Sequence, residues 1–218
     1  MGDIVTMDDL TNQEIVAVLD DAERLVPVAR GDVYLPLLQG KVLANMFFEN
    51  STRTRMSFET AMKRLGGSVL NFTSIGTSVA KGETLYDTMQ MIDGYADVAA
   101  IRHPRQGAAQ YSADAVEIPI LNAGDGAGNH PTQTMLDLFT IRQAHGTLEG
   151  LNVVLVGDLR YGRTVHSLSH ALVRFGAKLT LVSPSTLKMP VEIVSDLREL
   201  VQKSWRQSHW RTKSQERM

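Results

Sequence analysis

The chain has 218 residues, 43% hydrophobic and 21% charged, with a net charge of −2, the profile of an ordinary globular protein of one large or two small domains. It has no cysteine, which excludes disulfides and cysteine-ligated metal sites, and the net charge gives no reason to expect nucleic acid or a membrane surface as partner. The start, Met1-Gly2-Asp3-Ile4, carries no signal-peptide pattern, and no apolar run approaches the ~20 residues of a membrane span, so a cytoplasmic setting is expected.

Thr11 with Glu14 forms a capping box that opens a helix whose apolar face is Ile15, Val18, Leu19, Ala22 and Val26. The run Val42 to Phe48 reads as a buried strand. It breaks at Glu49-Asn50, and a helix follows with Phe58, Ala61, Met62 and Leu65 at i, i+3, i+4, i+7, stopping at Gly66-Gly67. Between strand and helix stands Ser51-Thr52-Arg53-Thr54-Arg55. Hydroxyls, free backbone N–H groups and guanidinium groups thus gather at a helix N-terminus, where the dipole favours an anion. A capping role explains one hydroxyl. It does not explain two arginines at the positive end of a dipole, which call for a bound phosphate-type anion.

Ser68 to Phe72 reads as a second strand, followed by a polar loop containing Ser78 and Lys81 and a helix with Leu85, Met89, Ile92 and Ala96 on one face. Val98 to Ile101 is a strand ending in Arg102-His103-Pro104; a helix over Ala108 to Asp114 and a strand over Ile118 to Asn122 come next. Pro131 suits the first turn of a long helix through Ala144. A second set begins near Leu151: strand Asn152 to Val156, a helix with Val165, Leu168, Leu172 and Phe175, strand Lys178 to Val182, and a helix opened by Pro190. Strands alternating with helices imply an α/β fold with a parallel sheet flanked by helices, followed by an incomplete second Rossmann-like α/β domain. Periodicity then ends. Residues 203–218 carry net +4, leaving −6 on the rest, and hold both tryptophans, Trp205 and Trp210. A chain cut short inside its second domain and a solvated basic tail are the two readings of this stretch.

Ligands of parallel α/β sheets bind at the C-terminal strand ends. Those ends here offer Ser51 to Thr54, Arg102, His130 with Gln133, and Arg160 with Arg163. These are cations, donors and an imidazole without a nucleophile beside a base, which favours electrostatic catalysis on an activated anionic substrate. His130 has no second ligand at metal spacing, so no metal is expected. The Val156-Gly157-Asp158 turn lacks Gly-x-Gly-x-x-Gly, which argues against dinucleotide binding.

The run Phe47 to Glu59, then Lys81-Gly82-Glu83-Thr84, Arg102-His103-Pro104, Asn122-Ala123-Gly124-Asp125-Gly126, His130-Pro131-Thr132-Gln133 and Gly157 to Ser167, in that order, resembles the catalytic chains of the aspartate carbamoyltransferase family over roughly residues 4–201. Ornithine carbamoyltransferases share Ser-Thr-Arg-Thr-Arg but typically have cysteine where Thr132 stands. The resemblance implies transfer of the carbamoyl group of carbamoyl phosphate to L-aspartate, early in pyrimidine synthesis and without a cofactor. It implies that Ser51, Thr52, Arg53 and Thr54 hold the phosphate, that Arg102, His130 and Thr54 polarise the carbamoyl oxygen, and that Gln133 binds the carbamoyl amide. Arg163 and Lys81 then bind aspartate, with Glu49 paired to Arg163. Ser78 and Lys81 reach a neighbouring subunit's site in a homotrimer, to which regulatory chains can be added. The implied domains are a carbamoyl-phosphate domain over 1–146 with a linking helix 131–146, part of an aspartate domain over 147–201, and a basic tail over 202–218 that matches nothing in the family. Without the family's closing helix, the Ile15, Leu19, Ala22 face is expected to be partly uncovered. The alternative is a remnant that binds carbamoyl phosphate or other subunits without turnover.

Overall fold

A computed structural model describes residues 2–74, 77–126 and 128–202, without the side chain of Arg163. The basic stretch 203–218 lies outside the described residues. The chain forms two compact units, residues 1–133 and 134–218.

The first unit is built on a parallel sheet in the order β2-β1-β3-β4, with β1 Val42–Phe47, β2 Ser68–Thr73, β3 Val98–His103 and β4 Ile120–Asp125. β1 pairs with β2 on one side and β3 on the other, so both its edges are satisfied. Its residues alternate between two cores, as a strand's period of two requires. Ala44 and Met46 join Met89, Ile92, Ile101 and Ile120, whereas Leu43 joins Met62 and Ala100. The outer edge of β4 is met by the N-terminal segment: Ile4 donates to Ile120 O at 2.8 Å and accepts from Asn122 N at 2.9 Å.

Three boundaries differ from the sequence expectation. The first helix does not carry Val26: α1 Asn12–Arg24 stops and α2 Val26–Arg30 starts anew, because Pro27 has no N–H with which to continue a helix. β4 begins after Pro119, which cannot donate to a ladder, and runs on through Gly124-Asp125 instead of ending at Asn122. β3 extends through Arg102 and His103, with a register shift against β4 between Ile101 and His103. On the α1 face expected to be partly uncovered, Ile15 is 0% and Leu19 1% exposed, while Ala22 is half-buried. Their stripe is short, and Val5, Met7, Leu10 and Val28 of the surrounding segment are buried as well.

α3 Thr52–Arg64 connects β1 to β2, α4 Leu85–Asp93 connects β2 to β3, and α5 Ala108–Ala113 connects β3 to β4. α6 Pro131–His145 follows. In the second unit β5 Asn152–Val156 and β6 Lys178–Val182 pair in parallel through α7 Arg163–Arg174, and a last helix, α8, covers residues 191–202. Leu155, Leu159 and Met189 form the core of this unit, with Val153, Val165 and Leu181 against it.

Candidate functional site

The order of strand addition reverses between β1 and β3: β1 leads outward to β2, and the next connection returns to β3 on the other side. Such a switch point opens a crevice beyond the carboxyl ends of the two strands. Here Phe47 is in register with Arg102, and Phe48 N donates to Arg102 O at 2.9 Å.

α3 begins at this edge. Ser51 occupies its N-cap position in an extended conformation, yet its hydroxyl makes no capping bond. The first-turn N–H groups of α3 thus point toward the crevice without a side-chain acceptor, the arrangement that receives an anion. A cleft of about 400 Å³ lies here, lined by Glu49, Asn50, Ser51, Thr52, Arg55 and Thr73 among others. Arg53 stands exposed on the first turn and Thr54 is half-buried; Arg55, the second arginine of this helix end, is the one that lines the cleft. A groove of about 420 Å³ between α2 and α3 is lined mainly by Leu25, Val28, Ala29, Met56, Ala61 and Leu65 and offers an anion little.

Arg102 is 8% exposed. Its Nη2 donates to Glu49 Oε1 at 2.7 Å and its Nη1 to Ala123 O at 3.2 Å. Its Nε is buried and has no hydrogen-bond partner. Glu49 therefore joins the guanidinium to the cleft. Sequence reasoning gave Glu49 to Arg163, whose side chain is outside the described residues; the partner found is Arg102, one strand away. Across from Arg102 stands His130, 5% exposed. Gly124, at φ 116°, separates them: a Cβ there would meet Arg102 Nη1 at 3.1 Å and His130 Cδ2 at 3.3 Å. Glycine thus lets a guanidinium and an imidazole close on the same backbone.

His130 Nδ1 accepts the Gln133 amide proton at 3.3 Å, and the Thr132 hydroxyl lies at the same distance. This bond leaves the ring proton of the neutral imidazole on Nε2, as a donor. Gln133 is half-buried in the first turn of α6. Arg102, His130 and the α3 N-terminus thus belong to one edge of one sheet. His103, next to Arg102, has its ring against Phe48 at 5.1 Å. Burial pushes its pKa below the ordinary value, and the charge of Arg105 adds to this.

Ser78 and Lys81 are exposed in a 3-10 turn ending at Gly82. Arg160, in the second unit, serves its own turn: its N–H donates to Asp158 Oδ1 at 3.0 Å and its guanidinium lies over the Tyr161 ring. Arg163 opens α7. Among the described residues no group of three or more His, Asp or Glu could hold a metal, and no helix is long and apolar enough to cross a membrane.

Comparison with known proteins agrees with this fold. The family model for the carbamoyl-P binding domain of aspartate/ornithine carbamoyltransferase matches residues 2–143, and the model for its Asp/Orn binding domain matches residues 149–218. The chain belongs to the aspartate/ornithine carbamoyltransferase family. It is 51% identical over 198 residues to the aspartate carbamoyltransferase catalytic subunit of Archaeoglobus fulgidus, covering 90% of this chain and 66% of that one. To the same subunit of Methanothrix thermoacetophila it is 55% identical over 195 residues, covering 89% and 64%. Among solved structures, the catalytic subunit of M. jannaschii aspartate transcarbamoylase superposes with a TM-score of 0.86 at 48% identity, over 92% of this chain and 66% of that chain. The Trypanosoma cruzi aspartate transcarbamoylase in complex with N-(phosphonacetyl)-L-aspartic acid gives 0.88 at 43%, over 93% and 66%. The chain thus spans slightly less than two thirds of the length of these relatives.

Proposed function

We propose that the chain binds carbamoyl phosphate at the β1–β3 edge and serves its transfer to L-aspartate, giving N-carbamoyl-L-aspartate and phosphate in pyrimidine biosynthesis. The observation that carries this reading is the meeting of Arg102 and His130 over Gly124 beside the uncapped N-terminus of α3. Ser51, Thr52, Arg53 and Thr54 hold the phosphate at the helix end. Arg102, Thr54 and the His130 Nε2–H donate to the carbamoyl oxygen. When the aspartate amine attacks the carbamoyl carbon, that oxygen becomes negative, and donors already aimed at it lower the barrier. Gln133 takes the carbamoyl amide. Arg163 and a neighbouring subunit's Lys81 take the aspartate carboxylates, and that subunit's Ser78 completes the phosphate site in a homotrimer, with or without regulatory chains. Residues 1–146 form the carbamoyl-phosphate domain and 147–201 part of the aspartate domain, in a cytoplasmic enzyme that needs no cofactor. A solved structure of T. cruzi aspartate transcarbamoylase in complex with carbamoyl phosphate and aspartate supports this substrate pair.

A second reading is binding of carbamoyl phosphate or other subunits without turnover. Calorimetry with carbamoyl phosphate and a ureido colour assay with aspartate or ornithine separate the two. The proposal expects binding that weakens on the order of a hundredfold in Arg102→Ala, through loss of charged hydrogen bonds, and product from aspartate but not ornithine. Binding without product leaves the second reading; an Arg102→Ala variant that binds like wild type sinks both.

A further inference from the structure

The segment between β4 and α6 is held by a carboxylate that the transfer chemistry does not use. Asp125, the last residue of β4, is 3% exposed. Its Oδ2 accepts the Gly107 amide at 2.7 Å, and its Oδ1 accepts the Asn129 amide at 2.8 Å and Asn122 Nδ2 at 3.2 Å. Its own N–H donates to Asn129 O at 3.2 Å, and its carbonyl accepts from Gly128 N at 2.8 Å. These bonds tie Asp125 to Gly128 and Asn129 and fix the backbone directly before His130. Asn122 fixes the other end: its Oδ1 accepts the Gly124 amide at 2.8 Å, and its Nδ2 also reaches Val5 O at 2.9 Å. The same Gly124 stands between Arg102 and His130. Among the described residues no lysine or arginine forms an ion pair with Asp125. Its charge is met by N–H groups of the chain it shapes, and charge-assisted bonds of this kind make a stiff fixture.

We infer that Asp125 is a positioning residue for the carbamoyl site: its carboxylate, together with Asn122, holds the Asn129 backbone so that the His130 imidazole faces Arg102 across Gly124. This rests on the carbamoyl-phosphate reading above. Asp125→Asn keeps the shape but turns one acceptor into an NH₂ that must face the N–H of Gly107 or Asn129. The Asn129 backbone then shifts and His130 moves with it, while the phosphate grip at the N-terminus of α3, on a different strand end, stays in place. The inference therefore separates two anions: carbamoyl phosphate, which uses both groups, and inorganic phosphate, which uses only the helix end.

The 218-residue chain and its D125N variant are compared by calorimetry with each anion and by NMR of the histidine rings, the His130 resonance being assigned from the spectrum of His130→Gln. In D125N the His130 ring resonance is expected to shift, carbamoyl phosphate binding to weaken about tenfold, and phosphate binding to change less than about twofold. In the wild-type chain the Gly107 and Asn129 amides are expected to exchange slowly with solvent, a reading that stands even if D125N does not fold. An unmoved His130 resonance, an equal loss for both anions, unaltered carbamoyl phosphate binding, or fast exchange at Gly107 and Asn129 overturns the inference. If the wild-type chain does not bind carbamoyl phosphate, the functional reading fails, and the ring resonance and amide exchange alone decide for or against Asp125.

Discussion

The two sheets of this chain follow the same connection rule and differ in cover. In the first, β1 has apolar side chains buried on both faces, with Ala44 and Met46 at 0% and Leu43 at 3% exposure. In the second, Leu155 of β5 is buried, but its neighbours Val154 and Val156 are 57% and 71% exposed, and Val182 of β6 is 46% exposed. Parallel sheets normally have both faces covered by helices. The two strand sequences look alike, since both are apolar runs. An apolar run thus reports which faces a strand is suited to bury, and not whether the described chain supplies anything to bury them against. The anion chemistry divides the same way: α3, Arg102 and His130 all stand in the unit whose central strand β1 is covered on both faces.

The largest effect that can break this comparison is a cavity in the first sheet. Ile101 of β3 is 1% exposed and sits among Met46, Met89 and Ile120. Ile101→Ala should cost about 3 kcal/mol, from lost burial plus the cavity left behind. Residue-resolved amide exchange in urea should show faster opening of β1 to β4, with β5 and β6 unchanged. Equal loss in both sheets would mean that the two units unfold together, and the contrast between them would lose its energetic meaning.

Much of the first unit was legible because its signals are local. The Thr11–Glu14 capping box, the glycine stop after α3 and the apolar runs of β1 and β3 each depend on residues close in sequence, and each is found. What was missed depends on distance. Pairing of Glu49 with Arg102 requires knowing that β1 lies beside β3, a fact of strand order that hydrophobic periodicity does not carry. The chain break at Pro27 and the late start of β4 after Pro119 were written in the sequence; the apolar pattern running through both prolines hid them. Gly124 was visible as part of a motif, but its use, as the bare backbone between a guanidinium and an imidazole, appears only when three strand ends are assembled.

Acid offers a smaller, reversible way to load the first unit. Burial, with the charge of Arg105 beside it, holds the His103 pKa below its ordinary 6.5. The unfolded chain therefore binds this proton at a higher pH than the folded one. Between the two values the unfolded state carries more protons, so stability rises with pH in that window and is lost as pH falls below 6.5. Glu14, held low by the Thr11 amide, and Glu59, held low by Lys63, act only below their ordinary 4.5. Urea midpoints read from β1 and β3 at about pH 7.5 and about pH 5.5 should thus report mainly the imidazole, and His103→Gln should flatten the difference. A pH slope that survives in His103→Gln assigns the effect elsewhere.

The smallest expected effect is the most direct test of the open face. Val156→Thr exchanges a methyl group for a hydroxyl at a position 71% exposed. Threonine keeps the β-branch that suits a strand, and the hydroxyl lies in water, so the stability change should stay within about 0.5 kcal/mol. At a covered position the same exchange would bury a hydroxyl without a partner and cost about 1–3 kcal/mol. Amide exchange of β5 and β6 at two protein concentrations distinguishes these cases. A near-zero change at both means that the face is wet. A large cost confined to the higher concentration means that a second copy of the chain covers Val154 and Val156, and the exposure that sets the second sheet apart would then belong to the isolated chain alone.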